Sequence, residues 1–556
     1  MHMKKISKII IISLIFIIFF LFITLAITIN INAKKSDEYE KTLANIKLGT
    51  ENVQNKEEIP NYQFKTIQPQ KVSDFDLKFL KLENQKENKV YSPLSIKYGL
   101  KMLEEAAIGE TKTQISQLVG NFDLSSYSSN KNLSFANALF IRESYKSKVK
   151  QSYMNLLNNK YNAEIKFDMF ENTENINNWI NEKTYNIIPN IIDDDSIDDL
   201  NFVLINALAI DMEWEEKFIM KDRFGSPSTQ FLHEKSSFDK VPYSSSIDVY
   251  DIEDVSSELF NKENEKIEVS GMHIEATINN YDIINELGEE NIKQIVSEEY
   301  RKFAKGEPYD EQHAGGDFPL SEDTTDAGIE KALNEFFPKY ISELNSNYHK
   351  SGTSTNFSIY IDNNVKVFAK DLKEYNGTKL QYVGIMPVSK ELDDFISDTN
   401  SNYINYYISN LKDIDYKNFK EGIVTVISGY IPKFKFEYNL NLLEDLKLSN
   451  ITDVFDNDKS NLGNMIKTNA YIGDALHKSN IEFTQDGIKA AAATTLPGYG
   501  GGAPFNYFFD VPIEKIDITF DKPYMFLIRD KYTGELWFTG TVYEPLLWEN
   551  ENTQSY

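Results

Sequence analysis

The chain has 556 residues, of which 41% are hydrophobic, so it holds enough apolar material for a large folded core and is not a disordered polypeptide. It contains no cysteine, which excludes disulfides and thiol chemistry. Its formal net charge of −27 argues against binding nucleic acid or anionic lipid through a general basic surface.

The first 33 residues form a separate segment. Lys4, Lys5 and Lys8 precede an uncharged run, 9–31, that is long enough as a helix to span a bilayer. A cleavable signal peptide usually has a shorter apolar core, so the pattern favours an uncleaved signal anchor, with cleavage and secretion as the alternative. The lysines favour a cytoplasmic amino terminus, so we expect the bulk of the chain on the extracellular face of the membrane. Residues 34–70 are polar and charge-rich, as is typical of a linker.

The globular part begins near residue 71. Apolar residues at helical spacing predict helices over 74–84, 94–107, 153–161 and 176–187. The nearly continuous apolar run 202–212 predicts a strand buried on both faces.

Residues 234–352 depart from this pattern. Within 241–350 there are 25 Asp and Glu against 9 Lys and Arg, a net charge of −16. Helical periodicity appears over 281–305 and 327–344. A structureless loop of this length would be unusual, so we predict an inserted, mostly helical acidic subdomain. Its acidic residues match no calcium-loop spacing, and a solvated acidic face is the simpler interpretation.

The sequence offers no catalytic or metal-binding motif. The six histidines are scattered, and there is no H-E-x-x-H, no Cys/His metal spacing and no G-x-S-x-G. The glycine-rich run 498–502 is not followed by G-K-[ST], so it is not a phosphate loop. We therefore predict no enzyme, no cofactor and no metal site.

The stretch 481–523 combines two different kinds of segment. A strand-like start leads to Gly487, then to four alanines, 490–493, and on to the glycine-rich run. Small side chains can fit between two existing strands, whereas a glycine run is costly to order. The stretch predicts a long loop carrying a segment able to become a strand. A flexible hairpin connection, with 490–493 as a fragment of helix, is the alternative.

Short motifs follow one another along most of the chain. They are V-Y-S-P-L-S-I (90–96), G-E-T-K-T-Q-I (109–115), N-A-L-F-I (137–141), 178–192, L-I-N-A-L-A-I-D-M-E-W-E-E-K-F (204–218), I-P-K-F-K-F-E-Y (431–438), N-I-T-D-V-F (450–455), L-H-K-S-N-I-E-F (476–483), F-D-K-P-Y-M-F-L-I-R-D (520–530) and L-W-F-T-G-T-V-Y-E-P (536–545). In this order, they resemble the motifs of the serpin family. The resemblance implies an α+β fold with three β-sheets, about eight to nine helices and an exposed reactive-centre loop, 484–515. The family domain would occupy 71–233 and 353–547, followed by a tail, 548–556.

The resemblance implies a suicide inhibitor of serine or cysteine proteases that forms a covalent complex with its target. The protease attacks the loop and forms an acyl-enzyme, and the hinge then inserts into sheet A as a new strand. The hinge would consist of Gly487, Ile488, Ala490, Ala491, Ala492, Ala493 and Thr494. The family's spacing places the scissile bond at Gly501–Gly502. Because the loop is about ten residues longer than usual, other bonds remain candidates, namely those at Tyr499, Phe505, Tyr507 and Phe508.

The resemblance also assigns a polar cluster, the shutter, beneath the centre of sheet A. Its members would be Ser92, Ser95, Asn206 and His477, and Trp214 would mark the breach at one end of the sheet. Such a network can rearrange its hydrogen bonds as strands separate. A simply capped strand histidine is the alternative for His477.

A second interpretation keeps the fold and changes the function. A non-inhibitory member would serve as a binding or adhesion module through the acidic insertion, whose partner the sequence does not identify. The compositional bias to Asn, Ile and Lys indicates an AT-rich genome, and the amino terminus suits a bacterium.

Overall fold

The computed structural model describes most of the chain between Val72 and Leu547. The described residues are 72–122, 127, 129–130, 132–192, 197, 200–216, 218, 240–242, 257–262, 265–310, 313–315, 323–347, 351–352, 357–473, 475, 477–484, 487–488, 506–507 and 509–547.

Eleven α-helices lie within these residues. They are α1 Asp74–Leu82, α2 Pro93–Ala106, α3 Gly109–Val119, α4 Gln151–Tyr161, α5 Glu174–Lys183, α6 Ile283–Leu287, α7 Glu289–Ala304, α8 Asp326–Asn347, α9 Leu392–Asp398, α10 Ser401–Ser409 and α11 Leu442–Leu448. The four helices predicted before residue 200 correspond to α1, α2, α4 and α5, with ends that differ by a few residues.

The same part of the chain contains 22 strands. They are β1 Lys89–Tyr91, β2 Leu133–Arg142, β3 Ala163–Asp168, β4 Phe202–Ile210, β5 Met212–Glu213, β6 Lys240–Pro242, β7 Ser257–Lys262, β8 Glu265–Asn279, β9 Ala314–Gly315, β10 Ser351–Gly352, β11 Phe357–Ile361, β12 Val365–Asp371, β13 Leu380–Pro387, β14 Lys412–Asp413, β15 Val424–Pro432, β16 Phe434–Leu440, β17 His477–Phe483, β18 Gly487–Ile488, β19 Asn506–Tyr507, β20 Asp510–Asp517, β21 Tyr524–Asp530 and β22 Leu536–Val542.

The strands form three principal sheets. A seven-stranded antiparallel sheet has the order β1-β22-β21-β13-β12-β11-β14. A second sheet has the order β10-β8-β15-β20-β6, with β7 paired to β8. The third, sheet A, lies in two parts, β3-β2-β4 and β16-β17-β18-β5. With the two parts of sheet A counted as one sheet, three sheets combined with helices confirm the predicted α+β fold class. Eight of the described helices lie outside 234–352, in agreement with the eight to nine expected.

Helix α2 shows how the sequence sets an element and what that element positions. The side chain of Ser92 caps the helix by accepting a hydrogen bond from the backbone N–H of Ser95, and Pro93 occupies the first turn, where its missing N–H costs nothing. Leu100 and Leu103, one turn apart, are buried. The amino-terminal end of α2 therefore carries two serine hydroxyls into the interior of the molecule.

Large aromatic side chains join sheet A to the seven-stranded sheet behind it. Phe483, at the end of β17, lies 4.8 Å from Phe434 and 4.5 Å from Tyr382 between ring centroids. Phe526 lies 5.2 Å from Phe434, and all four rings are fully buried. Such pairs add about 0.5–1.5 kcal/mol each beyond their burial. The end of β17, where the predicted hinge begins, is therefore firmly held.

The predicted insertion, 234–352, is helical only in its second half. The single helix expected over 281–305 is two helices, α6 and α7, separated at Gly288, whose φ of +81° is one that glycine adopts readily. The helix expected over 327–344 is α8.

The first half of that range contains strands, so the prediction of one mostly helical unit starting at residue 234 was wrong. Strand β8 pairs antiparallel with β15 from Asn279↔Val424 to Gly271↔Pro432. Alternating apolar residues, Ile274 and Ile278 among them, fit a strand with one buried face.

The end of the predicted reactive-centre loop is corrected as well, because residues up to 515 include most of β20, which pairs in parallel with β15.

The predicted signal anchor, linker and tail lie outside the described residues. In the part of the chain that the structure describes, no helix combines the length and the apolar character needed to cross a bilayer.

Candidate functional site

Sheet A is open between β4 and β17. β4 pairs with β2, and β17 pairs with β16 along its length. Among the described residues, β4 and β17 share no hydrogen-bonded ladder. A cavity of about 210 Å³ separates them, lined by Leu208, Ala209 and Ile210 of β4 and by Asn480, Ile481 and Glu482 of β17. A further strand entering here would find backbone N–H and C=O groups on both sides.

Strand β18 closes one end of this gap. Ile488 pairs with Phe483 of β17 on one side and with Met212 of β5 on the other. Its side chain is only 2% exposed and belongs to the main hydrophobic core. The first apolar residue of the predicted hinge therefore already occupies a strand position in sheet A. In the sequence, Lys489 and then a run of small residues, 490–495, follow it.

Gly487 sits where a side chain has no room. A Cβ at this position would lie 2.2 Å from the carbonyl oxygen of Met212 and 2.7 Å from the Cα of Glu213. Both contacts are with backbone atoms, which cannot move aside as a flexible side chain would. The resemblance places Gly487 in the hinge, and the structure adds that the close approach of strand β5 requires a glycine at this position.

Trp214 anchors the residues just before the hinge. Its indole Nε1–H donates a 2.9 Å hydrogen bond to the carbonyl oxygen of Thr484. The ring is fully buried and makes edge contacts with Phe483 at 5.5 Å and with Tyr382 at 6.2 Å. The chain reverses direction between Thr484 and Gly487, and the backbone N–H of Thr484 donates a 3.1 Å hydrogen bond to the carbonyl oxygen of Gly487 across this turn. Trp214 thus fixes the turn that directs β18 into the sheet.

The four residues of the predicted shutter line one cavity of about 140 Å³, beneath the open part of sheet A. The backbone N–H of Ser92 donates to Nε2 of His477 at 2.9 Å. The Ser95 hydroxyl donates to the carbonyl oxygen of Asn206 at 3.2 Å. Helix α2 therefore makes polar contacts with β17 on one side of the gap and with β4 on the other.

The network continues into residues that the sequence prediction did not name. The Asn206 side-chain amide donates to Oδ1 of Asn137 on β2 at 2.7 Å, and the Asn137 amide donates to the carbonyl oxygen of Tyr161 at 2.7 Å. Oδ1 of Asn206 is buried and has no hydrogen-bond partner among the described residues. Asn137 carried a signal, a polar residue within an apolar strand motif, whereas the backbone partner at Tyr161 carried none.

His477 is held neutral by its surroundings. Burial lowers its pKa from the usual 6.5 to about 4, because the buried imidazole loses the water that would stabilise its charged form. Nε2 accepts hydrogen bonds from the Ser92 N–H and lies 3.2 Å from the Ser479 hydroxyl. A proton on Nε2 would remove the acceptor on which the Ser92 contact depends.

Most of the remaining predicted site residues lie outside the described part of the chain. These are Ala490, Ala491, Ala492, Ala493, Thr494, Tyr499, Gly501, Gly502, Phe505 and Phe508. Tyr507, another candidate beside the scissile bond, is described. It lies in β19 and pairs with β9, which lies between α7 and α8 in the chain.

The site is thus a sheet with a gap between β4 and β17, and one residue of a flanking segment, Ile488, already pairs at the end of that gap. The family model for Serpin (serine protease inhibitor) matches residues 71–261 and 352–545. This match covers more than half of the chain, which therefore belongs to the serpin family.

Similar curated proteins align over short segments. Serpin B10 of Rattus norvegicus is 33% identical over 117 residues, which cover 21% of this chain and 27% of that protein. Glia-derived nexin of Homo sapiens is 32% identical over 117 residues, again 21% of this chain and 27% of the relative. The alignments span less than a third of these relatives' length.

Solved structures share the fold over a larger part of the chain. The thermophilic serpin tengpin in its native state has a TM-score of 0.52 at 20% identity, covering 85% of this chain and 93% of tengpin. Thyroxine-binding globulin in complex with thyroxine has a TM-score of 0.51 at 16% identity, covering 85% of this chain and 98% of the globulin. At these identities the likeness establishes the fold alone.

Proposed function

We propose that this serpin is a suicide inhibitor of serine or cysteine proteases with no catalytic activity of its own. The target protease cleaves the loop that follows Ile488 and forms an acyl-enzyme. The loop then enters the gap between β4 and β17 before water releases the enzyme, and the protease is carried along and distorted. The family's spacing makes Gly501–Gly502 the first candidate for the scissile bond.

The observation that carries this proposal is the position of Ile488 at the end of an open gap. Insertion would extend β18 by residues of small side chain, each gaining hydrogen bonds to β4 and β17. A backbone hydrogen bond contributes about 1 kcal/mol net, so a strand of several residues with ladders on both sides gains on the order of 10 kcal/mol. This gain favours the closed sheet and makes the open sheet the metastable starting state.

The shutter supports the same proposal. Its hydrogen bonds tie α2 to both edges of the gap, so strand separation must rearrange them. The unpartnered Oδ1 of Asn206 is an acceptor that a rearranged network can satisfy. Together with the 140 Å³ cavity beneath, this arrangement provides space and alternative partners while the sheet opens.

The test is a search for a covalent complex. The full chain is mixed with trypsin-, chymotrypsin-, elastase- and subtilisin-like proteases, run on a denaturing gel, and the released peptide is identified by mass spectrometry. We expect a complex with at least one protease that survives SDS, and the peptide will locate the scissile bond. Cleavage of the loop by all four classes without any complex would contradict the proposal.

A second candidate function is a binding module of the same fold. It is favoured by the contacts between the carboxyl side of the predicted loop and the helical region 283–347, where Phe509 is 4% exposed. A loop tied to a neighbouring unit suits a protein that binds a partner without trapping proteases. The gel experiment separates the two, because a binding module would yield cleaved chain and free enzyme.

We further propose that residues 262–351, which lie between the two segments matched by the family model, are an insertion in the family fold.

The amino-terminal segment supports a proposal of a bacterial protein anchored on the extracellular face of the membrane. Fractionation of cells expressing the full chain, with protease shaving of the intact cell surface, tests this location. A chain that faces the cytoplasm would contradict the proposed location. A soluble chain of reduced mass would show that the segment is cleaved and would contradict the anchor.

A further inference from the structure

The helical region 283–347 holds the carboxyl side of the predicted reactive-centre loop. Strand β19, which belongs to that loop, pairs antiparallel with β9, Asn506 opposite Gly315 and Tyr507 opposite Ala314. The Tyr507 ring stacks on the imidazole of His313 with centroids 5.8 Å apart and an interplanar angle of 22°. Two backbone pairs and one ring stack therefore join the loop to this region.

Phe509 deepens this attachment. It is 4% exposed and lies in the hydrophobic cluster that also contains Ile292 and Val296 of α7 and Leu333 of α8. Its ring lies 4.9 Å from that of Tyr507. Burial of a phenylalanine side chain is among the larger single contributions to packing, so this residue is a strong anchor.

Hydrogen bonds connect α7 to the residues that contact Tyr507. Oε2 of Glu299 accepts a 2.6 Å hydrogen bond from the backbone N–H of Asp310, and Oε1 of Glu299 accepts from Lys302 at 2.6 Å. Oδ2 of Asp310 lies 2.7 Å from Nδ1 of His313. Glu299 is buried, and this chain of contacts orients the His313 ring from a rigid helix.

We propose that two parts of this region form a loop clamp, and that the clamp determines where a protease can act. Asp310, His313, Ala314 and Gly315 hold Asn506 and Tyr507, and the α7–α8 cluster holds Phe509. A protease must draw several residues on each side of the scissile bond into an extended conformation in its cleft. Clamped residues are unable to do so without first leaving β9 and the hydrophobic cluster. The clamp therefore directs attack to bonds on the amino-terminal side of Asn506 and disfavours cleavage at Tyr507 or Phe508.

In the inhibitory reaction the clamp acts as a positioning device, and this consequence rests on the proposed function. It holds the residues that follow the scissile bond, which separate from the inserting segment once that bond is cleaved. Loss of the clamp should therefore change the rate at which a target protease attacks the loop. It should leave unchanged the fraction of attacks that end in a trapped complex, because insertion depends on the other side of the bond.

The test uses the full chain and thermolysin, a zinc protease that forms no acyl-enzyme and so cannot be trapped. Mass spectrometry follows each cleavage with time in the wild type, in His313→Ser and in His313→Phe. These variants leave the loop sequence unchanged, and the phenylalanine retains a flat ring over Tyr507. We expect the wild type to be cut faster before Asn506 than at the Tyr507–Phe508 and Phe508–Phe509 bonds.

In His313→Ser we expect cleavage of those two bonds to accelerate about fivefold or more, since cleavage follows the population of the opened segment. His313→Phe keeps the ring over Tyr507 but loses the contact with Asp310, so its rates should lie between those of the wild type and His313→Ser. Equal rates on both sides of Asn506 in the wild type, or unchanged rates in His313→Ser, would overturn the clamp. A wild type that forms no covalent complex with any protease would refute the proposed inhibition and leave this outcome unaffected.

Discussion

Replacement of Ile488 by glutamate tests whether the hinge residue holds its place in sheet A through burial. Ile488 is 2% exposed and lies between Phe483 and Met212. A carboxylate at this site would have no basic residue opposite it in either pair. We expect Ile488→Glu to expel β18 from the sheet, and Ile488→Val, which keeps an apolar β-branched side chain, to retain it.

The size of the effect follows from two contributions. Removing a buried isoleucine side chain from the core forfeits about 2–3 kcal/mol, and keeping an unpaired carboxylate buried costs several kcal/mol more. The inserted conformation of β18 is thus disfavoured by about 5 kcal/mol or more, a factor above about a thousand in population. Ile488→Val should lose only about 0.5–1.5 kcal/mol.

Hydrogen exchange measured by mass spectrometry on peptides covering 477–488 reads this change without a protease. We expect fast exchange in Ile488→Glu and protection in both the wild type and Ile488→Val. If the wild type traps a protease as a covalent complex, that protease should cleave Ile488→Glu as an ordinary substrate. Equal protection of Ile488→Glu and the wild type would refute the claim that burial of this side chain holds β18 in place.

Three further substitutions test the surrounding site. Gly487→Ala should lower the melting temperature and loosen β18, because its Cβ would overlap the Met212 carbonyl; unchanged melting and exchange would contradict this. Trp214→Phe keeps the aromatic packing but loses the hydrogen bond to Thr484, so we expect a loss of about 1 kcal/mol in urea unfolding; no loss would show that the bond contributes nothing. Because burial lowers the pKa of His477 to about 4, the folded chain keeps it neutral, so stability should be full above about pH 6.5 and fall by about 3 kcal/mol as the pH drops toward 4. His477→Gln should flatten this part of the pH profile, and an identical profile in both proteins would exclude His477 as its source.

The sequence predicts much of sheet A because its signals are local. The apolar run 202–212 identifies β4 and β5, which break only at Asp211. The helical spacing of apolar residues identifies α2. The resemblance places Ser92 and His477 in one cluster although they are 385 residues apart, and the structure joins them by a direct hydrogen bond. The role of that cluster as a shutter remains a prediction.

Other features depend on contacts that no local pattern reveals. Strand β8 was missed because its buried apolar residues do not alternate regularly. They fall at odd positions up to Val269 and at even positions from Met272 onward, so the period-two signal of a strand is broken near Gly271. The pairing of Tyr507 with Ala314 joins residues almost 200 positions apart, and nothing in the sequence of either short stretch indicates its partner. The need for glycine at residue 487 likewise comes from the neighbouring strand β5.

The most direct test of the central claim compares the heat stability of the full chain before and after its loop is cut between residues 489 and 505. If the gap between β4 and β17 exists to receive the loop, the cleaved chain should melt higher by on the order of 20 °C, since the inserted strand adds about 10 kcal/mol of hydrogen bonding. A cleaved chain that melts at the same temperature as the intact chain, or lower, would show that the open sheet is not a metastable state awaiting insertion.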